Sequence, residues 1–229
     1  MMKINDNLLE WLKWFALILM TADHINKYIF QEEYEYIFYA GRLVMPLFAF
    51  ILAYNLSRPG ALVNGAYQRT IKRLAFFGLI ATPAYIASGF VQDYWFPLNI
   101  MFMLLVCVAI AYCLEIGDPL HLFAALMIFV IGGAITEFWY FGIVVFLASK
   151  KYVVDPSARN MFLLLVAIGS LVVVNGNLWA LAAVIFILLA ITLSEKNITI
   201  PKIARSKRLF YIFYPAHLTL IVAASKLFF

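Results

Sequence analysis

Apolar residues fill this chain in runs broken only by short polar turns. The runs cover residues 8–30, 36–56, 69–88, 97–114, 120–133, 139–148, 160–174, 178–193 and 209–227. Most approach the roughly 20 residues that a helix needs to cross a bilayer. They are continuously apolar, without period-two alternation, so the pattern predicts helices and not a barrel. The runs at 120–133 and 139–148 are short and read as a re-entrant pair or as tilted helices packed inside the bundle. The expected fold is all-α, a polytopic transmembrane helical bundle of about 8–10 spans. Residues 1–229 form one integral membrane domain with no soluble domain. The first run is too long for a signal-peptide core and is broken by Lys13, so it reads as a retained first span.

Composition sharpens this picture. Hydrophobic residues make up 66% of the chain and charged residues 13%. A soluble domain averages about 45–50% and about 25%, so membrane lipids are the expected surroundings and any chemistry falls to the bundle and its short loops. The net charge of +5 is no nucleic-acid signature, because the basic residues lie between the runs. Cys107 and Cys113 share one predicted span and read as small apolar fillers, and no metal site is expected.

Lys and Arg also orient the chain, since cytoplasmic loops carry their excess. Arg58, Arg69, Lys72 and Arg73 flank the second connection, Lys150, Lys151 and Arg159 the sixth, and Lys196, Lys202, Arg205, Lys207 and Arg208 the eighth. With a cytoplasmic N-terminus and an odd number of crossings, all of these face the cytoplasm. The first outer loop instead carries Glu32, Glu33 and Glu35.

The informative residues are polar ones that lipid makes expensive, at roughly 2.5–3.5 kcal/mol for a charge at mid-bilayer. Asp23 and His24 fall in the outer half of the first run. His24 and Arg42 each lie about 9 Å from their helix ends, at 1.5 Å per residue, so the two can meet at one depth. Neighbours on a helix point apart, so Asp23 and His24 do not pair with each other. Asp23 can reach Lys27 or Arg42, and His24 needs a partner from another helix. Asn99, Glu137 and the deeper His217 sit at similar levels. Asn99 reads equally as a helix cap or a site donor, Glu137 as a solvated loop charge or a substrate contact, and His217 as a packing residue or a substrate contact. Asn175 and Asn177, in "VVNGNLW", read as turn residues.

The stretches "LKWFALILMTADHINKYIF", "FYAGRLVMPLFAFILAYNLSR", "LNIMF" and "FYIFYPAHLTL" resemble the TraX family of conjugative-pilus proteins. The resemblance covers most of the chain and is sharpest from Leu12 to Arg58; Val44 and Met45 depart from the small and aromatic residues expected before "PLFA". It implies an inner-membrane N-acetyltransferase that caps the amino terminus of pilin, with acetyl-CoA as donor. It points to Asp23 and His24 of "DHIN", Arg42 of "AGR", Asn99 of "LNIMF" and His217 of "YPAHL". On this view His24 is the base, Arg42 and Asn99 stabilise the oxyanion, Asp23 steadies Arg42, and His217 and Glu137 contact substrate. Arg69, Lys72 and Arg73, with Arg205, Lys207 and Arg208, offer positive charge to the phosphates of acetyl-CoA. An acyltransferase acting on a sugar, lipid or other peptide is the alternative, as are a small transporter and a non-catalytic assembly subunit.

Overall fold

In a computed structural model, residues 1–89, 96–196, 198, 200–204, 206 and 208–228 are described. They form helices α1 (Asp6–Tyr28), α2 (Glu35–Gly41), α3 (Val44–Leu56), α4 (Ala66–Ala87), α5 (Ile100–Ile116), α6 (Pro119–Ile135), α7 (Trp139–Val154), α8 (Ala158–Gly169), α9 (Val172–Asn175), α10 (Ala182–Glu195) and α11 (Leu209–Phe228). No strand occurs among the described residues; one isolated bridge joins Leu98 to Thr136. Arg205 and Lys207, both expected to meet phosphates, lie outside the described residues.

The helices follow the predicted runs in order, with two kinds of difference. The run at 36–56 is interrupted at Arg42 and Leu43, which divide α2 from α3, and that at 160–174 is interrupted at Ser170 and Leu171. The two short runs are longer than their apolar stretches. α6 has 17 residues and α7 has 16, because Gly132, Gly133 and the polar Ser149–Lys151 stretch continue their helices instead of ending them. Gly132 and Gly133 are buried where Val106 and Tyr140 would overlap an added Cβ. Small residues of this kind let apolar helices approach closely.

Among the described residues, three stretches are long and apolar enough to cross a membrane: Glu35–Leu56, Ala158–Asn175 and Leu209–Leu227. Ile100–Ile116, Pro119–Ile135 and Trp179–Glu195 are shorter and apolar. α1 and α4, with 23 and 22 residues, are as long but carry charged positions. α3 is apolar on all sides, which fits an interior helix. Leu47, Ala49, Phe50 and Ala53 are fully enclosed as it packs between α1 and α7. α11 lies against α4 and α1, and α5 against α4, α6 and α7.

Successive rods alternate in direction, and contacts at the two ends show it. At one end Met2 N–H donates to the Val153 carbonyl (2.8 Å), Asn5 N–H to Ser194 Oγ (2.9 Å), Trp11 Nε1 to the Pro201 carbonyl (2.9 Å) and Lys150 Nζ to Glu115 (2.5 Å). Arg58 pairs with Asp6 at this end. At the other end the Asn26 side chain brackets the backbone of Tyr34 (3.0 and 3.1 Å), and Leu98 exchanges bonds with Ile135 and Glu137. Asp118 caps α6 by accepting from His121 N–H (2.9 Å), which holds its carboxyl below the usual carboxylate range; the His121 ring sits 2.7 Å from the same carboxylate.

Tyr54 ties the N-terminal segment down. Its hydroxyl accepts from Ile4 N–H (2.8 Å) and donates to the Ile4 carbonyl (3.1 Å), both buried. Tyr54→Phe leaves both backbone groups of Ile4 without their partner, at about 1–3 kcal/mol each. Thermal unfolding of the detergent-solubilised variant should show a lowered midpoint, and an unchanged midpoint would contradict the tie.

Candidate active site

The first and second rods bring Asp23 and Arg42 together. Arg42 Nη2 donates to both carboxylate oxygens of Asp23 (3.1 and 3.0 Å), and Nε donates to the Phe38 carbonyl (3.2 Å). The guanidinium also lies 4.2 Å from the centre of the Phe38 ring, a favourable cation–π placement. Arg42 stands at the interruption between α2 and α3, and the residue before it is Gly41. A Cβ on Gly41 would overlap the Asp23 carboxylate. The glycine of "AGR" is therefore needed for the close approach of α2 to α1, and not for an unusual backbone angle. Nη1 of Arg42 has no partner among the described residues, so one edge of the guanidinium remains available.

His24 finds its partner on α11. Its Nδ1 lies 2.8 Å from His217 Nε2, and the two rings are parallel within 4° with centres 5.0 Å apart. A nitrogen–nitrogen contact that short at that centre separation is an edge-to-edge hydrogen bond in a common plane, not a face-to-face stack. His217 Nδ1 in turn lies 2.8 Å from the Phe213 carbonyl. A carbonyl only accepts, so His217 Nδ1 carries a hydrogen. In the neutral ring its Nε2 then holds a lone pair, and the hydrogen between the rings belongs to His24 Nδ1. This leaves His24 Nε2 unprotonated and without a partner among the described residues. His217 is buried at 5% exposure and is itself fixed by α11.

A cavity of about 950 Å³ joins these groups to the other end of the bundle. Asp23, His24, Lys27, Arg42, Glu137 and Asn175 line one part. Lys13, Arg58, Arg69 and Arg73 line another. Along α1, Lys13 and His24 are eleven residues apart, about 16 Å of helix. His24 and Arg42 thus face one space. Glu137 sits in the cavity wall and not on a solvated loop.

Several expected residues stand elsewhere. Asn99 is not in the cavity wall. Its Oδ1 accepts from Met101 N–H (3.1 Å) as the cap of α5, and its Nδ2 donates to the Gly78 carbonyl (3.1 Å) and Thr82 Oγ1 (3.3 Å) on α4. With both ends of the amide engaged, it joins helices and cannot serve an oxyanion. Lys72 lies on the exposed side of α4, away from the cavity that Arg69 and Arg73 line. Arg58, read from the sequence only as a topology signal, and Lys13, which breaks the first run, both belong to the cationic end. His217 holds His24 and does not line the cavity. The signal for that role was present in the sequence, since His24 required a partner from another helix.

The fold is a helical bundle with helices long and apolar enough to cross a membrane, around a cavity that carries charged groups toward both ends. A profile of the TraX protein family matches residues 8–225, and the chain belongs to that family. It is 30% identical to a protein TraX of Escherichia coli over 92% of this chain and 84% of that protein. A second, from Escherichia coli strain K12, is 26% identical over 80% of this chain and 73% of the relative. A probable fimbrial assembly protein FimC, serogroup H1, of Dichelobacter nodosus is 25% identical over 93% of both chains. No solved structure matches the chain significantly.

The ion pair gives a direct test of site architecture. Asp23→Ala leaves the Arg42 charge unpaired in a place with little water, at about 3–5 kcal/mol. Asp23→Ala combined with Arg42→Met should recover most of that loss. Unfolding midpoints of the two single variants and the double variant in detergent measure the coupling, and strict additivity would show that the contact is not formed.

Proposed function

We propose that this protein is a multi-span N-acetyltransferase of the bacterial inner membrane, with its N-terminus cytoplasmic. It moves an acetyl group from acetyl-CoA to the N-terminal amine of a pilin subunit. The observation that carries the reading is the single cavity with cations at one end and the His24–Arg42 cluster at the other. Family membership supports it, and so does a relative named for fimbrial assembly, which favours a pilus-type acceptor.

The cationic end suits the phosphates of acetyl-CoA, with Arg58, Arg69, Arg73 and Lys13 as the groups that would meet them. The thioester then extends along α1 toward His24. The acceptor amine comes from the opposite end as an ammonium, for which the Glu137 carboxylate is a suitable docking group. Attack needs the neutral amine, because an ammonium has no lone pair, so the ammonium first gives one proton to the Glu137 carboxylate that docks it. His24 Nε2 holds the lone pair that takes the amine proton as nitrogen adds to the thioester carbonyl. The positive charge that forms on His24 is shared with His217 through the bond between the rings. The free Nη1 edge of Arg42 donates to the oxygen of the tetrahedral adduct. Asp23 orients the guanidinium and offsets its charge, as expected of a partner in low dielectric. The carbon–sulfur bond breaks, the amide remains on the acceptor, and His24 returns the proton to the departing sulfur.

Intact mass of pilin from cells with and without this protein tests the reading, with one added acetyl group expected only in its presence. His24→Ala should lower acetylation by roughly 10²- to 10⁴-fold. Arg42→Lys should lower it by roughly 10²- to 10³-fold, since an ammonium lacks the planar fork. His24→Ala that inserts normally and leaves pilin fully acetylated would end the proposal.

A further inference from the structure

We infer that Lys27 is a site of self-acetylation, its side-chain amine taking the acetyl group from a thioester held at His24. The inference rests on the acyl-transfer reading above and adds a second amine, within the chain itself, that the same centre modifies.

Lys27 stands three residues beyond His24 on α1, and both line the same part of the cavity. Residues three apart on a helix are neighbours, with about 5–6 Å between their Cβ atoms. Helical side chains leave the backbone tilted toward the N-terminus of their helix, so the Lys27 side chain departs toward the turn that carries His24. The Tyr28 ring locates its amine. Lys27 Nζ lies 5.8 Å from the centre of that ring, and the centre of the His24 ring lies 5.9 Å from the same point. Among the described residues, one other lysine lines the cavity. It is Lys13, which donates to Glu10 (2.5 Å) at the cationic end, about 16 Å of helix from His24. A thioester carbonyl placed at His24 therefore has Lys27 as its nearest amine from the chain.

The chemistry is that of the proposed transfer with a different nucleophile. The Lys27 ammonium gives one proton to the Glu137 carboxylate, which lines the same part of the cavity. The neutral amine adds to the thioester carbonyl, and His24 Nε2 takes a second proton. The carbon–sulfur bond breaks and His24 passes that proton to the sulfur. The third hydrogen stays on the new amide, so the products are acetyl-lysine and coenzyme A. Acetylation of a lysine removes its charge and adds bulk. The modified centre thus loses a cation and some of its space where the acceptor amine enters.

The test uses the full-length protein in detergent, supplied with acetyl-CoA whose acetyl group is isotopically labelled and with no acceptor. Mass spectrometry of proteolytic peptides maps the label. Label should enter Lys27 roughly 10²-fold faster than the exposed Lys151 at the other end of the bundle, the low end of what a positioned base supplies. Excess coenzyme A, competing for the donor end, should suppress labelling of Lys27 but not of Lys151. His24→Ala should bring Lys27 down to the rate of Lys151. Label that is absent from Lys27, or enters it no faster than Lys151, overturns the inference. So does labelling of Lys27 that survives excess coenzyme A or a folded His24→Ala variant. The wild-type measurements decide the matter even if the variant fails to fold. Pilin that is acetylated in cells while Lys27 stays unlabelled refutes self-acetylation and leaves the transfer reading in place. Label on Lys27 with pilin unmodified in cells supports self-acetylation and refutes pilin as the acceptor.

Discussion

A guanidinium between apolar helices must be neutralised and hydrogen-bonded, and the way this chain meets that demand registers its central helices. Asp23 on α1 and Arg42 at the α2–α3 interruption close on each other only because Gly41 leaves room for the carboxylate. Once Asp23 faces the second rod, its neighbour His24 must point about 100° around α1, given 3.6 residues per turn. That direction leads to α11 and His217. One ion pair therefore fixes the height and rotation of α1 against two different partners. The base and the oxyanion donor proposed above are set side by side through it, although they come from different helices.

Much of this was legible in the sequence because lipid makes polar residues conspicuous. The apolar runs gave the helices and their order, and the cost of Asp23, His24 and Arg42 marked the site. The need of His24 for a distant partner followed from helical geometry alone. The misses have physical causes. Gly132 and Gly133 weaken a helix and Ser149–Lys151 are polar, so the apolar runs close there, whereas Gly132 and Gly133 pack against Val106 and Tyr140 inside α6 and the lysines simply extend α7 beyond its apolar stretch. The interruption at Arg42 leaves no mark in a hydropathy pattern, since both halves remain apolar. Asn99 was ambiguous because a cap and a site donor call for the same side chain at the same helix end.

Cations at the loops posed a different problem. The positive-inside rule predicts Arg58, Arg69, Lys72 and Arg73 equally well, so sequence could not separate a topology signal from a binding residue. Burial separates them. Arg69 and Arg73 line the cavity while Lys72 turns outward, one and three positions along the same helix. Arg58 joins them because its guanidinium folds back to Asp6 at the start of α1, with Nε buried and without a partner among the described residues. The same residues can thus orient the chain and meet an anion, and the geometry distinguishes the ones suited to both.

The histidine pair also bears on what the cavity is for. Intramembrane Asp, His and Arg can mark an ion path as readily as a catalytic centre. A path for protons requires a chain of groups in which each can both accept and donate, so that a proton entering at one end leaves at the other. Here the chain runs from His24 Nε2 through His217 and stops at the Phe213 carbonyl, which accepts but has no proton to pass on. A proton taken up from the cavity has only the cavity to return to. That behaviour fits the base of the acyl transfer proposed above, and a proton path would have to run through the cavity itself, which reaches both ends of the bundle.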